Sequence, residues 1–259
     1  MKLGFIGCGN MANAMIAGII GNGICKAEEI IGTAKSEASR VRVNKEFGIY
    51  MTEDNKEAAE KADVIVLSVK PQFYEEVICE IKDVMKDNQI VVTIAPGKTL
   101  AWLEEKFGKP VKLVRTMSNT PAMVQEGMTG VCKNTYVTES EMEHVCDILR
   151  GFGEVEIIPE RLIDAVVTVS GSSPAYVFMM IEAMAEGMPR KQAYKFAAKA
   201  VMGSAKMVLE TGKHPGELKD MVCSPAGTTI EAVKVLEAAG FRSALMEAME
   251  VCAEKSRNM

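Results

Sequence analysis

A short apolar segment, residues 2–6, runs straight into Gly7-Cys8-Gly9-Asn10-Met11-Ala12 and then into a helical pattern over residues 11–21, and no other feature narrows the possible folds so far. A Gly-x-Gly-x-x-Ala between a strand and a helix is the turn of a βαβ unit that brings backbone close to a pyrophosphate. Gly7 permits the tight turn, Gly9 keeps a Cβ out of the path of a phosphate, and the small Ala12 lets helix and strand pack closely. The unpaired amides and positive end of the helix beginning near Met11 then favour an anion. A tight βα turn without a ligand would also use these glycines, so the reading rests on the strand before them and the helix after.

The pattern that starts there repeats. Apolar runs at residues 2–6, 29–33, 48–51, 63–69, 89–95, 111–115, 127–132 and 154–158 alternate with helical segments, which is the signature of a mostly parallel sheet. Residues 119–126 are too few for a crossover helix, so the last strands should form an antiparallel or mixed edge. After Pro159 the strand signal stops and helices follow at residues 161–169, 174–186, 189–211, 228–238 and 243–255. The expectation is an α/β Rossmann domain over residues 1–159, then an all-α domain over residues 160–259. The run from Tyr176 to Ala185 is apolar nearly all round and must be surrounded. A domain of about 100 residues can hardly bury several such helices alone, so a second copy of the chain is implied.

Composition removes several function classes. A net charge of −5 offers no basic field for nucleic acid. No apolar run reaches the roughly 18 residues of a membrane span, and the first strand begins too early for a signal peptide, so the protein is expected in the cytoplasm. The seven cysteines are odd in number, form no Cys-x-x-Cys pair and read as reduced core residues. With only two histidines and no zinc or triad motif, hydrolytic chemistry has no support and no metal is expected. His144 reads as part of a solvated helix face, and His214-Pro215 as a loop or a neighbour of the site.

An NAD enzyme carries an Asp or Glu at the end of its second strand for the ribose 2′-hydroxyl. This chain has Thr33-Ala34-Lys35-Ser36, with a cation and a hydroxyl suited to a 2′-phosphate, so NADPH is favoured, with NADH still possible. The alternative is that Lys35 is an ordinary exposed loop lysine. Ser68-Val69-Lys70-Pro71 and Ala95-Pro96-Gly97 end the following strands and should border the cofactor, because ligands of open parallel sheets lie beyond the carboxyl ends of the strands.

Two further segments interrupt the helical half. Ser170-Gly-Ser-Ser-Pro174 is accounted for mainly as a helix start. Ser224-Pro-Ala-Gly-Thr-Thr229 gathers hydroxyls and free amides at one helix N-terminus, as a carboxylate site would, although plain capping remains open. Hydride transfer to an activated carbon needs positioning and a proton partner more than a base, and Thr229 could be that partner.

Taken in order, Gly4-Phe-Ile-Gly-Cys-Gly-Asn-Met-Ala12, Val69-Lys-Pro-Gln72, Arg115-Thr-Met-Ser-Asn-Thr-Pro121, Ser170 to Tyr176, His214 to Asp220 and Ser224 to Ile230 resemble the motifs of the pyrroline-5-carboxylate reductase family along nearly the whole chain. The resemblance implies NAD(P)H-dependent reduction of the cyclic imine 1-pyrroline-5-carboxylate to L-proline by a homodimer or an assembly of dimers. It places cofactor contacts at Ile6, Gly7, Cys8, Gly9, Asn10, Met11, Ala34, Lys35, Ser36, Asn55, Ser68, Val69, Lys70, Pro71 and Ala95. Substrate contacts fall on Ser224, Ala226, Gly227 and Thr228, with Thr229 as the catalytic group. The chain departs from the family in Ala226, where Gly is usual, in Ser118 for Pro and in Ser173 for Gly. It also runs from Glu182-Ala-Met-Ala-Glu-Gly187 into Met188-Pro189 about five residues early, more than one helical turn.

Two rival readings stand beside this one. A related imine or β-hydroxyacid reductase would share the N-terminal motifs but not residues 224–230. A non-catalytic dinucleotide sensor would bind cofactor without turnover.

Overall fold

Eight strands in the order β3-β2-β1-β4-β5-β6-β7-β8 make one sheet in the computed structural model, which describes residues 2–257. The strands are β1 (Leu3–Ile6), β2 (Ile30–Thr33), β3 (Tyr50–Thr52), β4 (Val64–Leu67), β5 (Ile90–Thr93), β6 (Lys112–Met117), β7 (Gly127–Lys133) and β8 (Gly153–Ile157). Helices α1 (Asn10–Gly21), α2 (Glu37–Phe47), α3 (Asn55–Lys61), α4 (Tyr74–Ile81), α5 (Leu100–Phe107) and α6 (Glu139–Leu149) connect most of them. β1, β2, β4 and β5 are buried on both faces, and this is why they read as continuous apolar runs rather than alternating ones. One core cluster gathers Met15, Ile16, Met142 and Phe152; the other gathers Tyr74, Ile78, Leu103 and Phe107.

The chain winds from β1 outward to β3, then returns to β4 beside β1 and continues the other way. That reversal leaves a crevice beyond the carboxyl ends of β1 and β4, where an open α/β sheet takes its ligand. The mixed edge is present: β6 and β7 pair antiparallel through a single 3₁₀ turn at Thr120–Val124, and β7 and β8 pair parallel.

By packing, the chain divides into Met1–Ser172 with Cys252–Met259, and Ser173–Val251. The division falls later than the expected boundary after residue 159. The segment that follows Pro159 is held on the sheet, since the buried Arg115 pairs with Glu160 at 3.0 Å and Asp164 at 3.6 Å, and Ile163 is buried. The expected helix at 161–169 is a short α7 (Ile163–Val166) followed by a π turn at Val167–Gly171. By length and composition the stretch Glu160–Met184 would also suit a membrane span. Counting apolar runs missed it because Ser, Thr and Gly interrupt the run without adding charge.

The second unit contains α8 (Ser173–Met184), α9 (Arg190–Thr211), α10 (Pro215–Val222), α11 (Thr228–Ala238) and the first part of α12 (Phe241–Arg257). Helix α10 is absent from the sequence expectation, yet Pro215 at its first position carries the same signal as Pro174. His214 is its cap, its Nδ1 accepting from the Gly216 amide at 3.1 Å. Within the described residues of this unit, the buried apolar side chains are three alanines: Ala185, Ala193 and Ala197. Phe178, Phe196, Leu209 and Val235 are each at least 60% exposed in the single protomer.

Candidate functional site

The crevice beyond β1 and β4 opens into a cleft of about 770 Å³ lined by Gly7, Cys8, Gly9, Ala34, Lys35, Asn55, Ser68, Val69 and Lys70 from the sequence expectation. Gly7 has φ +96°, and a Cβ on it would lie 2.5 Å from Val69 Cγ1, so only glycine fits. Gly9 is different. Its backbone is extended, at φ −89° and ψ −167°, and a Cβ there would meet nothing within 4 Å. What glycine keeps clear at position 9 is therefore the cleft itself. Gly9 provides no side-chain cap for α1, so the first amides of that helix are left for a ligand. This is a cradle into which a pyrophosphate fits.

A chain of hydrogen bonds fixes the cradle. The Gly7 amide donates to Thr33 Oγ1 at 3.0 Å, Thr33 Oγ1 donates to Asn55 Oδ1 at 2.8 Å, and Asn55 Nδ2 donates to Glu80 Oε2 at 2.6 Å. Ser68 serves the same end, donating from Oγ to the Gly7 carbonyl at 3.0 Å and thereby tying β4 to the loop. Tyr74, fully buried, donates to the Leu67 carbonyl at 2.5 Å and anchors the segment between β4 and α4. Burial pushes its phenol up to about 12 and the Cys8 thiol up to about 12. Both stay neutral, so Cys8 offers no thiolate chemistry in the loop.

Other expected residues fall elsewhere. Ile6 and Ala95 are buried in the same core cluster, and Pro71 starts the 3₁₀ turn Pro71–Phe73. Asn10 and Met11 open α1 at the mouth of the glycine loop, Asn10 exposed and Met11 partly buried against the core. Ser36 caps α2, accepting from the Ser39 amide at 3.2 Å. Sequence reasoning missed Thr33, Glu53, Asp54, Lys56, Phe73, Glu76, Val77 and Glu80, which also line the cleft. Four of these recur at helical spacing from residue 73, a pattern that marks one face of α4. Lys35 Nζ lies 3.3 Å from Glu76 Oε1 and 5.3 Å from the centroid of the Phe73 ring. Arg40 braces the loop after β2, donating to the Ala34 and Lys35 carbonyls at 2.9 Å each and pairing with Glu53 at 3.2 Å.

In the helical unit, the Gly227 amide donates to the Ser224 carbonyl at 3.0 Å across Pro225 and Ala226. Ala226 has φ +57°. Proline followed by a positive φ describes a type II turn with alanine where glycine is preferred. A Cβ on Gly227 would come within 2.3 Å of Ser224 Oγ. The turn delivers Thr228 and Thr229 to the start of the eleven-residue α11, whose N-terminus has no side-chain cap. The capping alternative therefore does not describe this segment. The Ser170–Pro174 segment is largely committed to structure: Asn119 Nδ2 donates to the Ser170 carbonyl at 3.1 Å, and Cys252 Sγ lies 3.1 Å from Ser172 Oγ.

His144 is exposed on α6, and among the described residues no group of three or more metal-ligating side chains occurs. Cys79 is exposed and Cys223 and Cys252 are half-buried, so the expectation of core cysteines holds for Cys8, Cys25, Cys132 and Cys146 only.

Residues 160–259 match the family model described as pyrroline-5-carboxylate reductase dimerisation, and residues 2–97 match the one described as NADP oxidoreductase, coenzyme F420-dependent. A pyrroline-5-carboxylate reductase of Escherichia coli is 52% identical over 263 residues, covering 100% of this chain and 98% of that one. A solved pyrroline-5-carboxylate reductase from Coxiella burnetii is 34% identical with a TM-score of 0.91, covering 99% of this chain and 97% of that one. The Plasmodium falciparum pyrroline carboxylate reductase solved with NADP bound is 31% identical, also at 0.91, covering 100% and 97%.

Proposed function

The chain belongs to the pyrroline-5-carboxylate reductase family, and from that premise we propose how its own residues carry out NAD(P)H-dependent reduction of 1-pyrroline-5-carboxylate to L-proline. The observation that carries the proposal is the 224–229 turn, which presents two threonines and uncapped amides together at the start of α11. Those amides hold the ring carboxylate, because a helix N-terminus favours negative charge. The Thr229 hydroxyl hydrogen-bonds the ring nitrogen and orients the imine carbon, which protonation of that nitrogen makes electrophilic. In the first unit, Gly7, Gly9 and the first amides of α1 hold the pyrophosphate, and Asn55, fixed between Thr33 and Glu80, faces the adenosine ribose. When bound there, NADPH supplies the hydride. Orientation is the protein's main contribution. Mixing the protein with NADPH and the imine should give imine-dependent loss of nicotinamide absorbance and equimolar proline. Cofactor binding without such turnover would instead identify a sensor.

The end of β2 carries no acid, and Lys35 lines the cleft there, which supports a preference for NADPH over NADH. Lys35→Ala is expected to narrow the ratio of the two kcat/KM values severalfold, the effect of losing on the order of 1 kcal/mol from one exposed charge contact. A ratio unchanged by the substitution would remove Lys35 from the 2′-phosphate site.

Self-association follows from the second unit. Its Phe178, Phe196, Leu209 and Val235 leave large apolar side chains exposed in the single protomer, and the match to a dimerisation family supports a second copy of the chain as their cover. Light scattering at micromolar concentration should return a dimer or a multiple of it. A stable, active monomer would contradict this.

A further inference from the structure

The adenosine end of the cleft holds an acid that the end of β2 does not supply. Glu76 projects from α4, across the cleft from β2, and its carboxylate engages Lys35 Nζ at 3.3 Å. Lys35 thus stands between two anions in turn, Glu76 in the free protein and a cofactor 2′-phosphate in the bound one. A carboxylate beside a 2′-hydroxyl is an acceptor, whereas beside a 2′-phosphate it is a like charge. Resting on the proposed role of this cleft, we infer that Glu76 is a specificity-determining residue: it competes with the 2′-phosphate for Lys35 and so holds the preference for NADPH below what Lys35 alone would give.

The placement supports a charge effect rather than a structural one. Both side chains are mostly exposed, at 83% for Lys35 and 54% for Glu76, so the pair contributes little to folding. Neither belongs to the hydrogen-bond chain from Gly7 through Thr33 and Asn55 to Glu80 that fixes the cradle. The neighbouring Glu75 carries the same charge on the same helix, but pairs with Lys106 at 2.8 Å and does not line the cleft. It is a built-in control for net charge.

The test uses the full-length protein and two fragments that differ only at the 2′ position, adenosine 2′,5′-bisphosphate and 5′-AMP, titrated by calorimetry. Glu76→Gln is expected to tighten the bisphosphate about two- to fivefold, the range of one solvent-exposed charge contact, without tightening 5′-AMP. Glu75→Gln should leave both unchanged, and in a Lys35→Ala background the gain from Glu76→Gln should shrink to the part due to direct repulsion between carboxylate and phosphate. Equal tightening of both fragments, no change in the bisphosphate, an equal effect of Glu75→Gln, or a gain that persists undiminished without Lys35 would each overturn the inference. Fragment binding needs no imine, so failure of the proposed reductase activity would show separately, in the turnover assay. Where turnover is present, the NADPH to NADH ratio of kcat/KM should rise in Glu76→Gln by the factor read from the fragments.

Discussion

Replacing Gly9 with valine should abolish tight NADPH binding while leaving the protein folded. The two effects separate because of what surrounds the residue. Its backbone is extended, at φ −89°, a conformation open to any amino acid, and a Cβ there meets no protein atom within 4 Å. Folding should therefore lose little, about 1 kcal/mol or less from the weaker N-cap preference of valine. The added side chain instead fills the space through which a pyrophosphate reaches the amides of α1. Two charge-assisted hydrogen bonds lost there amount to roughly 3 kcal/mol or more, a factor above a hundred in dissociation constant. Gly7→Val makes the contrast: at φ +96° and with Val69 Cγ1 2.5 Å from any Cβ, it should lower the thermal midpoint as well. Fluorescence titration with NADPH and thermal unfolding of both variants decide the matter. Wild-type affinity in Gly9→Val would mean that the pyrophosphate lies elsewhere.

Thr229→Val is expected to reduce kcat/KM for the imine about ten- to a hundredfold, the cost of one hydrogen bond of roughly 1 to 3 kcal/mol at the reacting group. Valine keeps the shape of threonine, and α11 begins without any side-chain cap, so neither the helix nor NADPH affinity should change. His144→Ala should retain most activity, since His144 sits on the exposed face of α6. For His214 the suitable control is asparagine, because the native side chain caps α10 and alanine would remove about 1 kcal/mol of helix stability without touching the chemistry. Turnover at the wild-type rate in Thr229→Val would leave the ring nitrogen to a water or a backbone group.

Local rules made the first unit legible. Strands β1, β2, β4 and β5 declared themselves as apolar runs because both faces of each are covered, and the glycine loop fixed where the switch point had to lie. Residues that depend on distant partners were not legible. The later division at Ser172 follows from Arg115 gripping Glu160 and Asp164, contacts between residues more than forty positions apart. Glu76 and Glu80 reach the cleft because the fold brings α4 to Lys35 and Asn55, which periodicity along one helix shows as a face but not as a destination. Helix α10 was legible and missed, since Pro215 marks its first turn. The strain at Ala226 lay between these cases: the departure from glycine was visible in the chain, but only the backbone angle of +57° gives it meaning.

The bare apolar face of the second unit has a consequence for how much of this protein a cell must make. When a fold is completed by another copy of itself, its stability contains a concentration factor, and each tenfold dilution reduces the stability of the assembled state by about 1.4 kcal/mol. Activity then falls faster than abundance once protomers become scarce. With the self-association proposed above, halving expression would remove more than half of the working enzyme in that regime, and the helices of the second unit would set a minimum dose of gene product.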